Sequence, residues 1–474
     1  MTASSSHMRR RSRWRSDSAY IGALAVPLVL TQFAQVALST TDVVMMGLLG
    51  PLEIAAGGLG LAVFNLLRTM GVGLITPVAN LVAVASADDR HGESAIRDLV
   101  RASLAVATLA GCALWCLMPC VGPLLLWLGQ DAEVVARTAD YLFAAAPGVL
   151  PLLWFQVLRN LTVGLRRPGP LLGITLASVA VNAVLNYALM YGRFGLPALG
   201  LTGIGWSTTL VNAGAFVAFL VIVRRDPALA RLLSIGFRRP GWPALSRIWK
   251  PGLPVAATYG SEAGFFAVVS LLAGAIGAEA LAAHTVVNQA VYIVFMISVG
   301  LSHATSVSIS KAWAAGDMEA ACRLGRTGLG LGAGCMAIVA VPYLAWPQLV
   351  LSLFLQGDGA GETGMLAVAG QLLVIAALLQ FFDCGQNIGI GMLRGAGETR
   401  SAFAITLVGY WGIGLPIAWL LGHVAGAGAR GIWIGLTAGL LATAVLLLLR
   451  FRKLVGARSA APAAPAAGEP AASP

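Results

Sequence analysis

Three carboxylates stand where carboxylates are costly. Of the 20 Asp and Glu residues, Asp42, Glu262 and Asp383 fall deep inside long apolar runs, with no basic residue within one helical turn on the same run. An ionisable group surrounded by hydrocarbon marks function by default. Desolvation favours its protonated form and a bound cation favours the anion, so one such group can hold either a proton or a cation. That competition can couple the movement of one to the other. Asn182 and Asn186, spaced i, i+4, face one direction on a helix. With Asp42 and the Thr208 hydroxyl they make a set of hard oxygen donors suited to a small cation such as Na⁺. The same Asn pair would also serve as ordinary interhelical hydrogen bonding. Arg68 is the single basic residue placed inside an apolar run; it either pairs with a buried acid or extends its charge toward an interface.

The elements that carry these groups follow from composition. The 474 residues are 58% hydrophobic and 11% charged, with mean hydropathy +0.82, whereas a soluble domain carries about 25% charged residues. Apolar runs long enough for a bilayer core of ~30 Å are predicted at 20–49, 53–85, 101–121, 139–160, 170–191, 199–223, 251–275, 280–309, 322–345, 366–391, 402–421 and 430–449. At about 1.5 Å per residue, Glu262 lies ~18 Å beyond Lys250 and Asp383 ~16 Å before Arg394. Both acids are therefore expected near mid-bilayer. Asp42 is expected nearer the other surface.

The net charge of +11 is explained by topology rather than by a nucleic-acid partner. Of the 31 Lys and Arg residues, 27 fall on one side of this span pattern. They include Arg9 to Arg15, the loops with Arg90, Arg97 and Arg101, with Arg159, Arg166 and Arg167, and with Arg394 and Arg400, the central stretch from Arg224 to Lys250, and the end from Arg450 to Arg458. Arg137, Arg193 and Arg430 fall on the other side. The excess of positive charge on cytoplasmic loops places both termini in the cytoplasm, and a bacterial inner membrane is the expected location. Cys112, Cys116 and Cys120 share a helix face, but no His or carboxylate converges with them, so they are read as packing residues. His284 and His303 are likewise read as packing or interface residues. No phosphate-binding loop and no metal-spaced His cluster points to an enzyme. No cofactor is expected beyond a coupling ion, Na⁺ or H⁺.

An internal repeat organises the spans. A shift of 227 residues brings Pro27 onto Pro254, Gly47 onto Gly274 and Ala55-Ala56 onto Ala282-Ala283; a shift of 228 brings Leu165-Arg166 onto Leu393-Arg394. Each repeat has six spans, so the two are parallel and related by an axis along the membrane normal. The expected fold is an all-α polytopic membrane protein of twelve transmembrane helices in two six-helix bundles. Its expected parts are a cytoplasmic segment 1–18, a lobe 19–225, a linker 226–250, a lobe 251–453 and a disordered tail 454–474. Under the repeat Gln35 corresponds to Glu262, and Gln35, Tyr259 and Gln289 join the three acids as expected substrate contacts.

Several stretches resemble the multidrug and toxic compound extrusion (MATE) transporters. Thr41-Asp42 through Gly47-Leu48-Leu49-Gly50 is similar to the family's first-helix signature. Gly252-Leu253-Pro254 followed by Glu262, and Phe382-Asp383 leading to Gly391-Met392-Leu393-Arg394-Gly395-Ala396-Gly397-Glu398-Thr399, are similar to those of the seventh and tenth helices. Asn182 through Asn186-Tyr187 and Gly195 through Gly200 resemble the NorM-like branch. The resemblance implies antiport of cationic amphiphilic drugs or toxins against Na⁺ or H⁺ by alternating access, by a monomer. It puts a first-lobe cation site on Asp42, Asn182, Asn186 and Thr208, and further cation and substrate contacts on Glu262 and Asp383. Leu379 stands where some members have a tyrosine one turn before the second acid. A flippase for lipid-linked precursors, from the same superfamily, is the alternative; such proteins line their cavities with more basic residues.

Overall fold

The structure, a computed structural model, describes residues 2–88, 91–233, 241–354 and 362–460. Twelve of its helices are long and apolar enough to cross a bilayer. In the first half these are α1 (Arg13–Gly47), α2 (Pro51–Ala85), α3 (Gly92–Trp127), α4 (Ala132–Gly164), α5 (Leu171–Tyr191) and α6 (Leu201–Arg225). In the second half they are α7 (Trp242–Ile276), α8 (Ala278–Ala314), α9 (Met318–Ala345), α10 (Gly364–Gly395), α11 (Thr399–Val424) and α12 (Gly428–Ala460). No strand occurs among the described residues, as expected where every backbone polar group must be satisfied without water.

Each predicted apolar run coincides with one helix to within two residues where it overruns the helix end, and several helices outrun their apolar segment. α7 starts at Trp242 rather than near 251, because Pro243 sits in its first turn, where a missing N–H costs nothing. α12 continues past 453 to Ala460, and the helix containing α1 runs back to Thr2. Of the expected tail, 461–474 lies outside the described residues, as does 234–240 of the central stretch. The start of α1, the start of α9 and the end of α12 meet at one end of the molecule, where Arg13 and Glu319 pair at 3.8 Å and Trp14, Val455 and Ser459 line one depression. This end is the terminal face and the opposite end the far face. Odd-numbered helices lead away from the terminal face and even-numbered ones return to it.

The two halves repeat one packing scheme. In the first, α2 and α3 pack on α4, α4 on α6 and α1 on α5; in the second, α8 and α9 pack on α10, α10 on α12 and α7 on α11. The contacts between halves obey the same relation: α1 packs on α8 and α7 packs on α2. These crossings are close because small residues face large ones. A Cβ at Gly73 would stand 2.9 Å from Ala256 Cα, and one at Gly300 would stand 3.1 Å from Val29 Cα, the small-residue approach that membrane helices use in place of a hydrophobic drive.

Nearer the terminal face the seam is polar. Asn80 Nδ2 on α2 donates to Ser306 Oγ and Ser310 Oγ on α8, both at 2.8 Å. Arg166, just past α4, donates to Ser308 Oγ at 3.1 Å and stacks on the Tyr20 ring. Arg323 on α9 meets Asp17 at 2.7 Å. All these contacts lie between the terminal face and mid-length, so the lobes are joined at that end. Outside the spans, Ser401 and Arg450 both donate to Glu398, which holds its carboxyl below the usual carboxylate range and ties the start of α11 to α12.

The seam predicts a crosslink. In a cysteine-free background with a protease site between α6 and α7, Asn80→Cys with Ser306→Cys should be joined by the shortest bifunctional methanethiosulfonate. Proteolysed chain should then run as one band until reduced. Two separate bands under non-reducing conditions would contradict the packing at the terminal face.

Candidate functional site

The first polar centre lies in the first lobe, toward the far face. Asp42 is 2% exposed and accepts from Asn186 Nδ2 at 2.8 Å, and the same amide group donates to Asn182 Oδ1 at 3.3 Å. Asn182 and Asn186 are one turn apart on α5 and both fully buried, which directs them together at α1. Thr208 on α6 donates its hydroxyl proton to Ile204 O at 3.1 Å, leaving its oxygen free to accept. Asp42 and Thr208 line one cavity of 80 Å³, together with Gln35, Asn65 and Arg68, with room for several waters. The structure therefore brings all four expected residues together, with the two asparagines behind Asp42. Asn186 Oδ1 is buried with no hydrogen-bond partner. Asn182 Nδ2 is likewise without a partner, while the Asp42 carboxylate and the Thr208 oxygen on the cavity wall are oxygens of the kind a small hard cation takes as ligands. Among the described residues, no group of three or more His, Cys, Asp or Glu forms a transition-metal site.

The second centre is a cavity of 330 Å³ between the lobes. Glu262 on α7 and Asp383 on α10 both line it, and each lies within the other's electrostatic reach. Asn387, one turn along α10, donates to Asp383 Oδ1 at 3.3 Å. Tyr410 on α11 donates toward Glu262 Oε1 at 3.4 Å and also contacts Gln386. Its ring stacks on Phe265 with centroids 4.8 Å apart. Tyr410 sits in a π-helical stretch, Val408–Gly414, that runs up to Pro416. Proline removes one helical donor and crowds the turn before it, and the wider π turn absorbs that defect. Gln35, Tyr259 and Arg68 also line this cavity, as do Arg159, His303 and Arg394.

Comparison with known proteins agrees with this architecture. The family model described as MatE matches residues 27–188 and again 254–420, so one pattern fits both halves, starting at the positions paired by the 227-residue shift. The chain belongs to the MATE family. Its members are membrane transporters, not enzymes. The chain is 41% identical over 434 residues to "Probable multidrug resistance protein NorM" of Pseudomonas aeruginosa, covering 90% of this chain and 88% of that protein. It is 35% identical to the protein of the same description from Mesorhizobium japonicum, covering 92% and 94%. Among solved structures, the outward-facing conformation of a multidrug resistance MATE family transporter of the MOP superfamily superposes with TM-score 0.84 at 20% identity, covering 94% of this chain and 97% of that one.

Within this MATE chain the structure moves several residues from where sequence reasoning put them. Arg159 and Arg394 are not loop residues: α4 and α10 continue to Gly164 and Gly395, and the two side chains are 5% and 3% exposed inside the protein. An apolar run ends where the lipid-facing side becomes polar, whereas these arginines face inward. His303 is not a packing residue; it lines the cavity near both arginines. His284 does pack, held by Ser270 at 3.0 Å and Trp433 at 3.2 Å. Gln289 is exposed and does not reach the cavity. Its neighbour Asn288 does, because the cavity stripe of α8 runs through Asn288, Val291, Tyr292 and Phe295, and one residue is a rotation of about 100°. Arg68 forms no ion pair among the described residues; it lies between the two cavities, near Tyr292. Tyr410 was missed, although Tyr410-Trp411 between glycines just ahead of Pro416 is a legible signal of a disrupted helix. Leu379 is fully buried, and Tyr410 puts a phenol beside the acids from another helix.

Removing the amide donor to Asp42 tests the first centre. An unsatisfied buried acceptor costs about 1–3 kcal/mol, so Asn186→Ala should lower the melting temperature of the detergent-purified protein, and Asn182→Ala should lower it less. Equal melting temperatures for wild type and Asn186→Ala would show that Asp42 is satisfied without that amide.

Proposed function

We propose that the protein is a secondary active multidrug efflux antiporter that exports cationic amphiphilic drugs or toxins in exchange for Na⁺ or H⁺. It acts as a monomer in the bacterial inner membrane, with both termini in the cytoplasm. The observation that carries this reading is a pair of carboxylates, Glu262 and Asp383, set into a cavity between two lobes of a twelve-span protein. The multidrug resistance proteins it resembles support export, and the basic bias of the loops on the terminal face supports the orientation.

With the terminal face in the cytoplasm, the seam through Asn80, Ser306, Gly73 and Gly300 closes the cytoplasmic side, and the arrangement corresponds to the outward-open state. An organic cation on Glu262 and Asp383 is released outward when a proton or Na⁺ takes its place, since two neighbouring carboxylates hold one added charge far better than two. Asp42 with Asn182, Asn186 and Thr208 supplies a second cation site in the first lobe, in keeping with Na⁺. Reclosure at the far face and opening of the seam then expose the emptied acids to the cytoplasm. This mechanism needs no group beyond the chain's own side chains and the coupling ion. The flippase alternative calls for a cavity dominated by positive charge; here Glu262 and Asp383 stand against Arg68, Arg159 and Arg394, so the cavity carries both signs.

Proteoliposomes loaded with a cationic dye separate the coupling ions. Export should follow an imposed Na⁺ or H⁺ gradient and stop when that gradient is abolished. Glu262→Gln and Asp383→Asn should each slow it by about tenfold or more, one such factor being ~1.4 kcal/mol. Asp42→Asn should act on the ion dependence. Export that survives all three substitutions would reject the acids as sites, and dye that moves under neither gradient would reject antiport.

A further inference from the structure

Arg68 belongs to neither site, yet it borders both. On α2, Phe64 and Asn65 line the first cavity and Thr69 and Val72 line the central one; Arg68 stands at the change-over and lines both. Gln35 and Ser39 on α1 and Gln156 on α4 are shared in the same way. The two cavities therefore meet across a polar wall, and among the described residues its one charged member is this guanidinium. Asp42 lines only the first cavity, and Glu262 and Asp383 only the second. Arg159 and Arg394 are held by hydrogen bonds to Gln156 and Ser306. Arg68 forms no hydrogen bond and no ion pair among the described residues, and its Nε is buried without a partner. A buried charge without a counter-ion is costly, and nothing beside this one pins it in place.

We propose that Arg68 is a tethered cation that couples the two sites: with Asp42 empty its guanidinium is drawn toward the first cavity, and with a cation or proton on Asp42 it is driven into the central cavity, where it competes with the organic cation. This rests on the export reading above and supplies a route by which an ion in the first lobe acts on a substrate it does not touch. The depths fit. Asp42 lies about 8 Å below the far end of α1, at Gly47, and Arg68 about 26 Å below that of α2, at Pro51. Helical side chains lean toward their own N-terminus. α1 and α2 run in opposite directions, so the carboxylate and the guanidinium lean toward each other and their gap shrinks to on the order of 10 Å. Two unit charges at that distance still shift one another's equilibria by about tenfold at the effective dielectric of a protein site. Glu262 lies about 21 Å below the far end of α7, at Ile276, level with the Arg68 head. A long arginine stem with several rotamers therefore has an acid to turn to on either side. Na⁺ and H⁺ each add one positive charge at Asp42, so the lever works with either ion. The effect is reciprocal: the organic cation weakens the ion on Asp42 by the same factor.

A double-mutant cycle on the full-length protein in detergent tests this, because Asp42→Asn mimics a loaded Asp42 whichever ion loads it. Binding of rhodamine 6G, a permanent cation, is read by fluorescence anisotropy. Asp42→Asn should weaken the dye by about tenfold, although residue 42 does not line the central cavity. Adding Arg68→Gln to that variant should restore the affinity by about the same factor, whereas Arg68→Gln in the wild-type background should change it less than about twofold. Asp42→Asn with Arg68→Lys keeps the tethered charge and should stay weak, which a role for Arg68 in packing alone would not predict. Restored dye binding in the double variant shows that it is folded. Should Asp42→Asn itself fail to fold, Asp42→Ala carries the same change of charge and repeats the test. Dye affinity within about twofold of wild type in folded Asp42→Asn overturns the lever on its own, without any Arg68 variant. An Arg68→Gln effect of equal size in both backgrounds would make Arg68 a fixed charge and overturn it too. Failure of wild type to bind the dye would instead count against the export reading itself.

Discussion

The cost of holding charge away from water governs this molecule. In a soluble protein a buried ion can be matched by solvent at a nearby surface; within a bilayer it must be matched by another group or lie in a cavity. Each deep charge here belongs to a cavity or to its edge. Asp42 backs onto two amides, Asp383 onto Asn387, Glu262 onto Tyr410, and the arginines onto hydroxyls and an amide. These partners are neutral, and that choice has a functional result. A carboxylate paired with a fixed arginine would be satisfied at rest, with no reason to bind a cation. One held by amides and phenols is positioned but still short of positive charge.

The same economy explains the seam. Asn80 joins Ser306 and Ser310 through uncharged hydrogen bonds, with Arg166 on Ser308 as a charged donor, and the apolar crossings rely on glycine against small backbone surfaces. Uncharged hydrogen bonds contribute about 1 kcal/mol net each. A seam built from them can hold the lobes together and yet be broken without exposing an unpaired ion to lipid. The salt bridges that do join the lobes, such as Arg323 with Asp17, lie at the terminal edge, where water takes over when they part.

Much of this was legible in the sequence, because a bilayer sets element length by its own thickness and sets loop charge by topology. All twelve spans, the two-half repeat and the positions of the deep acids could be read from Tyr20 to Leu449. What escaped were facts about helix rotation and helix overrun. Arg159 and Arg394 looked like loop residues because the apolar run stops near them, yet burial within protein needs no apolar side chain. Gln289 and Asn288 are adjacent in sequence, and only the packing of α8 decides which one faces the cavity. Tyr410 reaches Glu262 across 148 residues from a π turn whose geometry depends on a proline six positions later. No periodicity in the chain encodes that meeting.

The paired seams also bear on how such a chain could arise. α1 packs on α8 and α7 packs on α2, so each six-helix half carries both surfaces of the joint, one on its first helix and one on its second. That is the pattern of an isologous two-fold contact, in which one patch meets its own copy. A single half thus holds everything needed to dimerise with itself. Joining two copies in one chain leaves the joint unchanged and frees each copy to evolve its own interior. Here one copy carries Asp42 with its two asparagines, and the other carries Glu262 and Asp383.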